Sequence, residues 1–193
     1  MKQLFFGTGN PHKLAEIKGI LDPKIQVSSF QDLPAKLEVE ETESTLEGNA
    51  QLKAHAFFAH TGIPCFADDT GLEVPALQGA PGVYSARYAG PEGDAEANMR
   101  KLLQALSGVD HREAQFRTVV AFYDGSTTHL FEGILKGQIA LEKSGAGGFG
   151  YDPIFIPEGD TLSLATYSPT AKNAISHRGI AIRKFAAFIE THI

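Results

Sequence analysis

The hydrophobic pattern of the N-terminal region predicts a strand, a tight loop and a helix. Leu4–Phe6 is a short apolar run followed at once by the turn residues of Gly7–Pro11, which is typical of a buried strand that ends in a loop. From His12 to Leu21 the apolar residues recur at helical spacing. Pro23 ends that helix, because proline cannot donate the backbone hydrogen bond that a helix needs.

The middle of the chain predicts two further helices and a buried strand. Thr45 before Leu46-Glu47-Gly48 indicates a helix start, and Asn49–Thr61 continues the helix with an apolar face at helical spacing. Gly62 follows and favours the end of a helix. Pro64–Ala67 is a short apolar strand that leads into Asp68–Gly71, which has the composition of a turn. Asp94–Leu106 begins with a capping residue and continues as an amphipathic helix.

The C-terminal half adds a hairpin and closing helices. Gln115–Tyr123 and Thr128–Ile139 are rich in β-branched and aromatic residues, and Asp124-Gly125 between them predicts a hairpin turn. Pro169–Ser176 predicts a short helix or turn, and Gly179–Glu190 a closing helix. Because a hairpin interrupts the alternation of helices and strands, the pattern favours an α/β fold with a mixed sheet. The chain has no repeat or clear linker, so residues 1–193 are predicted to form a single domain.

Composition and charge narrow the classes of function. The chain has 193 residues, of which 42% are hydrophobic, and its longest apolar runs fall short of the ~18 residues of a membrane span. A single cysteine, Cys65, and the absence of a signal-peptide pattern lead us to expect a cytoplasmic protein. The net charge of -6 argues against binding to long nucleic acid, which requires a basic surface. A small anionic ligand remains compatible, since a pocket needs only a few cations.

The first candidate site is the loop Thr8-Gly9-Asn10-Pro11-His12-Lys13, between the predicted first strand and helix. Such a loop places free N–H groups at a helix N-terminus, where the helix dipole favours phosphate. Lys13 adds a point charge suited to the same group. The alternative is a helix cap followed by a surface lysine.

The second candidate site is the pair Asp68-Asp69. Adjacent carboxylates after a buried strand are unfavourable unless they are solvated, paired or bound to a cation. Mg²⁺ binds through one or two carboxylates together with substrate phosphate oxygens, and Glu40 or Glu41 could supply a further carboxylate. The alternative for the aspartates is a capping turn, and the alternative for the glutamates is a solvated acidic loop, Glu38–Glu47. Asn49 and Lys53 share one helical face at i, i+4 spacing, which is also usual for the solvent-facing side of a helix.

The third candidate site is the glycine loop that ends in Phe149-Gly150-Tyr151-Asp152. Gly145–Gly150 matches the G-x-G-x-x-G pattern of dinucleotide-binding loops. No strong strand precedes it, however, and Pro153 blocks a following helix, so a dinucleotide site is excluded. Phe149 and Tyr151 could instead stack on a nucleobase while Asp152 accepts hydrogen bonds. The alternative is a loop whose aromatic side chains pack in the core.

The fourth candidate site is a set of hydrogen-bond donors, Lys172, His177 and Arg178. Side-chain N–H groups beside a purine can donate hydrogen bonds to a 6-keto oxygen, whereas adenine presents an amino group, itself a donor, at that position. The alternative is a capped helix start with surface charges.

Taken together, these residues resemble the inosine triphosphate pyrophosphatase family, also called the Ham1-like nucleotide pyrophosphatases. The matching stretches run in family order over nearly the whole chain and are Thr8–Lys13, Glu47–Ala50 with Lys53, Ala67–Leu72, Gly79–Arg87, Gly147–Phe155, and Lys172 with Ser176–Gly179. The resemblance implies an elongated mixed sheet flanked by helices, two lobes with a central substrate cleft, and a homodimer. It also implies hydrolysis of ITP, dITP and XTP to the monophosphate and pyrophosphate, with Mg²⁺ as cofactor.

The resemblance further implies roles for single residues. Asp69 corresponds to the general base and to a metal ligand, and Glu41 to the second metal carboxylate. The implied substrate contacts are Thr8, Gly9, Asn10, Pro11, His12, Lys13, Lys53, Thr70, Phe149, Gly150, Tyr151, Asp152, Lys172, His177 and Arg178. Thr70 stands where bacterial members often have serine. Glu43-Ser44 and Gly48 alter the acidic loop, so the choice between Glu40 and Glu41 stays open.

Two rival functions follow from the same residues. One is a pyrophosphatase of similar fold that acts on modified pyrimidines, such as a Maf-like enzyme, and substrate profiling separates the two. The other is a nucleotide-binding module without catalysis. Asp69, Glu41 and Lys53 argue against the second rival, because binding alone does not require such an acid pair.

Overall fold

The computed structural model describes residues 2–33 and 37–192 and shows an α/β fold with a mixed sheet. The strands are β1 (Lys2–Phe6), β2 (Ile25–Ser28), β3 (Cys65–Glu73), β4 (Pro81–Gly82), β5 (Glu113–Tyr123), β6 (Thr128–Ile139) and β7 (Phe155–Pro157). The helices are α1 (Pro11–Lys18), α2 (Leu46–Thr61), α3 (Ala95–Ala105), α4 (Pro169–Ile175) and α5 (His177–His192). Within the described ranges, no helix is both long enough and apolar enough to cross a membrane.

The predicted mixed sheet is confirmed. Strand order is β2-β1-β3-β5-β6-β7, with β4 paired to β3. β1 pairs in parallel with both β2 and β3. β4 pairs antiparallel with β3, and β7 pairs antiparallel with β6. The predicted hairpin is β5–β6, and its turn is closed by the Asp124 carboxylate, which accepts hydrogen bonds from the N–H groups of Ser126 and Thr127.

The chain divides into two compact units. The first unit comprises the chain up to Asp69, Thr118–Gly133 and the chain from Arg178 onward, and the second comprises Thr70–Arg117 and Ile134–His177. The strands β3, β5 and β6 each contribute residues to both units. The elongated shape, the lobes with a central cleft and the single domain over residues 1–193 stay predictions.

The first unit is built on a sheet whose two faces are both covered. Alternate residues of a strand point to opposite faces, and here Leu4 and Phe6 join a core cluster with α1 and α5. Phe5 faces the other way and stacks on Phe57 of α2, with ring centroids 5.5 Å apart. Burial on both faces explains why Leu4–Phe6 of β1 is a continuous apolar run rather than an alternating one.

The second unit has its own core. This core combines residues of α3, such as Met99 and Leu102, with Phe116 of β5 and Phe155 of β7. Phe116 and Phe155 pack with ring centroids 4.6 Å apart. The helix α3 ends within one residue of the predicted boundary and is capped by Asp94, whose carboxylate accepts from the N–H groups of its first turn.

Two features of the fold differ from the sequence prediction. β3 does not end at Ala67, because the strand continues through Asp68–Gly71 to Glu73, so the predicted acidic turn is wrong. The segment stays extended because β3 lies between β1 and β5 in the sheet and pairs with β4 at Leu72 and Glu73. The strand β2 had no prediction, since its short sequence carries little apolar pattern and is placed by parallel pairing with β1.

Candidate active site

The acidic pair lies in the middle of β3, and both side chains are almost fully buried. Asp68 is 2% exposed and Asp69 is 6% exposed. Neighbouring residues of a strand point to opposite faces, so the two carboxylates meet different partners. Buried carboxylates are stable only when charges or hydrogen bonds compensate for lost solvation, and each aspartate has its own set of compensating groups.

Asp68 is held by two cations of the first unit. Its Oδ2 atom lies 2.9 Å from Lys13 Nζ and 3.2 Å from Arg178 Nε. Burial alone would raise the pKa of Asp68, but Lys13, Arg178 and Lys53 more than offset it and hold the pKa below its usual range. Asp68 is therefore ionised and serves to hold Lys13 and Arg178 in place.

Arg178 belongs to an ion-pair network inside the first unit. Besides Asp68, its guanidinium pairs with the carboxylate of Glu16, one turn of α1 beyond Lys13. Burial would lower the pKa of Arg178, but Asp68 and Glu16 outweigh that effect and keep it raised. The predicted contact of Arg178 with a purine stays a prediction, and the structure adds a second role as partner of the buried Asp68 and the half-buried Glu16.

Asp69 is surrounded by a different set of groups, which come from α2 and the acidic loop. Lys53 Nζ lies 3.6 Å from Asp69 Oδ1 and 2.6 Å from Glu41 Oε1. The Asn49 amide donates to the other carboxylate oxygen, Asp69 Oδ2, at 3.2 Å. Burial is the main cause that raises the pKa of Asp69; Lys53 opposes it and Glu41 reinforces it. A raised pKa brings a carboxylate closer to the range of a general base that works near neutral pH.

Lys53 joins the two carboxylates that are predicted to bind metal. Its own burial would lower the pKa, but Asp69, Glu41 and Asp68 together raise it, so the lysine stays protonated. Lys53 pairs with Glu41, whereas the neighbouring Glu40 is exposed. This geometry favours Glu41 over Glu40 as the partner of Asp69.

The two carboxylates also fit Mg²⁺, which takes one or two protein carboxylates and completes its shell with waters and phosphate oxygens. The ion pairs of this site join three cations to four carboxylates, namely Lys13, Lys53 and Arg178 with Asp68, Asp69, Glu41 and Glu16. No group of three or more His, Cys, Asp or Glu side chains suited to a metal occurs within residues 2–33 and 37–192.

The loop from Thr8 to Lys13 forms the predicted helix start. Asn10 is the N-cap of α1, and its Oδ1 atom accepts from the N–H groups of His12 at 2.9 Å and Lys13 at 3.4 Å. Thr8 is buried and its hydroxyl accepts from the Asn10 N–H at 3.1 Å. Gly9 and His12 are exposed, and Pro11 occupies the first helical position. The cap is confirmed, and the phosphate contacts of this loop stay predictions.

The second unit brings together three of the predicted base-pocket residues. Lys172 Nζ lies 2.6 Å from Asp152 Oδ2 and 4.3 Å from the centre of the Phe149 ring. The same Asp152 oxygen accepts from the Phe149 N–H at 2.8 Å. Gly148 makes this turn possible, because it has a φ of 72° and a Cβ there would collide with the Asp152 carboxylate. Phe149 and Gly150 are half-buried.

Two aromatic residues of the second unit are more deeply placed than the sequence suggests. Tyr151 lies in the core cluster, its hydroxyl donates to the Ser85 carbonyl at 2.8 Å, and burial raises the pKa of that hydroxyl. This corresponds to the alternative in which an aromatic residue of the loop packs in the core. His177 is also buried and stacks on Phe116 with ring centroids 4.7 Å apart. Thr70, another of the predicted substrate contacts, follows Asp69 in β3 and is half-buried.

Sequence reasoning did not assign two residues that the structure places in the charge network. Glu16 is three residues after Lys13 on α1 and so shares a helical face with it, a spacing that could have identified it. Asn49 was recognised only as sharing a helical face with Lys53. The contact from Asn49 to Asp69 spans twenty residues of sequence, and helical spacing alone cannot show it.

Comparison with known proteins places this arrangement in a family. The Ham1 family model matches residues 4–188. A dITP/XTP pyrophosphatase of Porphyromonas gingivalis is 53% identical over 190 residues, which cover 98% of each chain. The dITP/XTP pyrophosphatase of Christiangramia forsetii is 49% identical over 97% of this chain and 98% of its own. The Ham1 protein structure of Staphylococcus aureus has a TM-score of 0.89 at 42% identity and covers 100% of both chains. The chain therefore belongs to the Ham1 family.

Proposed function

We propose that this protein hydrolyses non-standard purine nucleoside triphosphates, namely dITP, XTP and ITP, to the monophosphate and pyrophosphate, and so removes them from the pool used for DNA and RNA synthesis. The observation that carries the proposal is the buried set of Asp69, Glu41 and Lys53 in a Ham1-family chain. Curated relatives at up to 53% identity are named dITP/XTP pyrophosphatases. We further propose that the protein acts in the cytoplasm, as a homodimer.

In the proposed mechanism, Asp69 orients the attacking water and accepts its proton as the oxygen approaches the α-phosphorus in line with the leaving pyrophosphate. The buried carboxylate of Asp69 suits that role because Asn49 and Lys53 contact its two oxygens and fix its orientation. Lys53 and Lys13 offset negative charge on the phosphate oxygens. Positioning and electrostatics supply most of the rate in phosphoryl chemistry.

We propose Mg²⁺ as the cofactor, held by Asp69 and Glu41. When bound, the ion would neutralise charge on the leaving pyrophosphate. Lys53 lies beside both of these carboxylates, so its ammonium group would contact the substrate phosphate next to the proposed metal ligands. Lys13 is paired with Asp68 in this structure, and it would likewise contact the substrate phosphate.

Base recognition is assigned to Phe149, Tyr151, Asp152, Lys172, His177 and Arg178. Phe149 offers a half-buried ring for stacking, and Asp152 and Lys172 already form a buried pair beside it. A purine that carries a 6-keto oxygen accepts hydrogen bonds at the position where adenine donates. A site built on such bonds can reject the wrong base by ~10⁴-fold, because its own buried groups are left unpaired.

The proposal is tested by pyrophosphate release from ITP, dITP, XTP and the common triphosphates, with Mg²⁺ and with EDTA. We expect rapid release from the three non-standard purines, little from ATP, and loss of release in EDTA. Preference for modified pyrimidines would indicate the Maf-like rival activity. Absence of release from all substrates, with binding retained, would indicate a nucleotide-binding module.

A further inference from the structure

Asn49 is a fully buried amide in the first turn of α2. It is 0% exposed, and a buried side-chain amide is unfavourable unless its polar atoms are hydrogen-bonded. Its Oδ1 atom accepts from the backbone N–H of Glu43 at 3.0 Å, and its Nδ2 atom donates to Asp69 Oδ2 at 3.2 Å. One side chain thus joins the acidic loop to the strand that carries Asp69.

The chemistry of the two partners requires an amide at this position. The backbone N–H of Glu43 can only donate, and the Asp69 carboxylate can only accept while it is ionised. The side chain between them must therefore present an oxygen to one partner and an N–H to the other. Aspartate would satisfy Glu43 but oppose Asp69 with a second negative charge, and alanine would satisfy neither.

Asn49 and Lys53 together hold both oxygens of the Asp69 carboxylate. Lys53 is one helical turn later and lies 3.6 Å from Asp69 Oδ1, while Asn49 binds Oδ2. Both residues also contact the acidic loop, Lys53 through Glu41 and Asn49 through Glu43. Residues 37–43 form no helix or strand, so these contacts fix where the Glu41 carboxylate sits relative to Asp69.

We propose that Asn49 is a positioning residue for the pyrophosphatase reaction, which sets the orientation of Asp69 and its spacing from Glu41. The inference rests on the roles proposed above for those two carboxylates. Partners of this kind, which orient a ligand or a base without touching the substrate, typically contribute about 10–100-fold in activity when removed. Asn49 acts through Asp69, so its loss should reduce kcat rather than substrate binding.

The second unit contains a matched control, Asn98. It is the fourth residue of α3, as Asn49 is of α2, and is 3% exposed. Its Oδ1 atom accepts from the N–H of Ala89, and its Nδ2 atom donates to the carbonyl of Ala86. Asn98→Ala therefore removes the same buried amide and the same number of these hydrogen bonds without touching Asp69.

The experiment compares Asn49→Ala and Asn98→Ala for three readouts: kcat with dITP and Mg²⁺, the dissociation constant of a dITP analogue with a non-hydrolysable α–β bridge, and the thermal midpoint. We expect both variants to lower the midpoint similarly. Only Asn49→Ala should lower kcat, by about 10–100-fold, while its dissociation constant for the analogue stays within about threefold of wild type. An unchanged kcat in Asn49→Ala, or an equal loss in Asn98→Ala, would overturn the proposal.

Asn49→Asp provides a second variant if Asn49→Ala does not fold. It keeps the side-chain volume and the acceptor for Glu43, so only the contact to Asp69 is reversed in sign. We expect kcat to fall at least as far as in Asn49→Ala, and wild-type kcat would overturn the proposal. Asp69→Asn separates the proposed base role of Asp69 from the proposed positioning role of Asn49. If Asp69→Asn is inactive while Asn49→Asp is fully active, only the role of Asn49 is wrong. If Asp69→Asn is fully active, the proposed base is wrong, and the role of Asn49 with it.

Discussion

At the scale of single residues, Asp68 and Asp69 show how one strand gives neighbouring carboxylates opposite properties. Lys13 and Arg178 keep the pKa of Asp68 below its usual range in spite of its burial. Burial, reinforced by Glu41, raises the pKa of Asp69 in spite of Lys53. Pairs of acids whose environments move their pKa values apart are typical of sites that divide catalytic and supporting roles. The division supports the proposal that Asp69 is the base and Asp68 a structural residue.

Asparagine substitutions at these two positions should therefore have different effects. Asp69→Asn should lower kcat for dITP by about 10²–10⁴-fold, the usual contribution of a general base, and leave folding largely unchanged. Asp68→Asn should lower the free energy of unfolding by about 3–5 kcal/mol, because it removes the buried carboxylate that pairs with both Lys13 and Arg178 and leaves Arg178 only its pair with Glu16. Steady-state kinetics and urea unfolding of both variants test the division. Near-wild-type turnover by Asp69→Asn would contradict it.

Arg178→Ala should change two properties at once. The guanidinium pairs with Asp68 and Glu16, so its removal should cost about 3–5 kcal/mol of unfolding free energy. The proposed contact to the purine predicts, in addition, a smaller ratio of kcat/KM for ITP over ATP. Lys184→Ala on the exposed side of the same helix is the control and should alter neither. A destabilised variant with an unchanged substrate ratio would assign Arg178 to the ion-pair network alone.

At the scale of elements, the sequence predicted those whose signals are local. The helix α2 begins and ends where a Thr45 cap and Gly62 indicate, and the β5–β6 hairpin follows its turn residues. The extent of β3 could not be predicted, because the ion pairs from Lys13 and Arg178 that bury Asp68 come from distant parts of the chain. The same limit applied to Asn49, whose partner lies on another element.

β3 also carries the single cysteine, whose burial predicts a dependence of stability on pH. Cys65 is fully buried, and burial raises the pKa of its thiol well above the usual value. The unfolded chain loses this proton near pH ~8.5 while the folded chain keeps it, so the native state binds more protons above that pH. The contribution of Cys65 to stability is therefore complete below pH ~8.5 and is lost as the pH rises toward the folded pKa.

Urea unfolding between pH 7 and pH 10 should show this loss in wild type, and Cys65→Ala should show a shallower decline over the same range. Iodoacetamide should label the native thiol only as fast as the core opens, because the folded site holds the thiol neutral and inaccessible. Rapid labelling of the native protein at pH 8 would show that β3 is less protected than its burial implies.

At the scale of the whole molecule, the two units are predicted to unfold together. The strands β3, β5 and β6 each supply residues to both units, so neither unit can lose its sheet without breaking strands that the other uses. Phe122 belongs to the core of the first unit and Phe155 to that of the second, and each is at most 1% exposed. Replacing either by alanine should cost about 3–5 kcal/mol.

Calorimetry of Phe122→Ala and Phe155→Ala tests this cooperativity. We expect one transition in each variant, with equal calorimetric and van't Hoff enthalpies, and a midpoint lowered by roughly 10 °C for a chain of this size. The result would be the same whichever core is damaged, because a loss in either unit would be shared by the whole chain. Two separate transitions, of which only one moves in each variant, would mean that the units are independent domains and that the single-domain prediction is wrong.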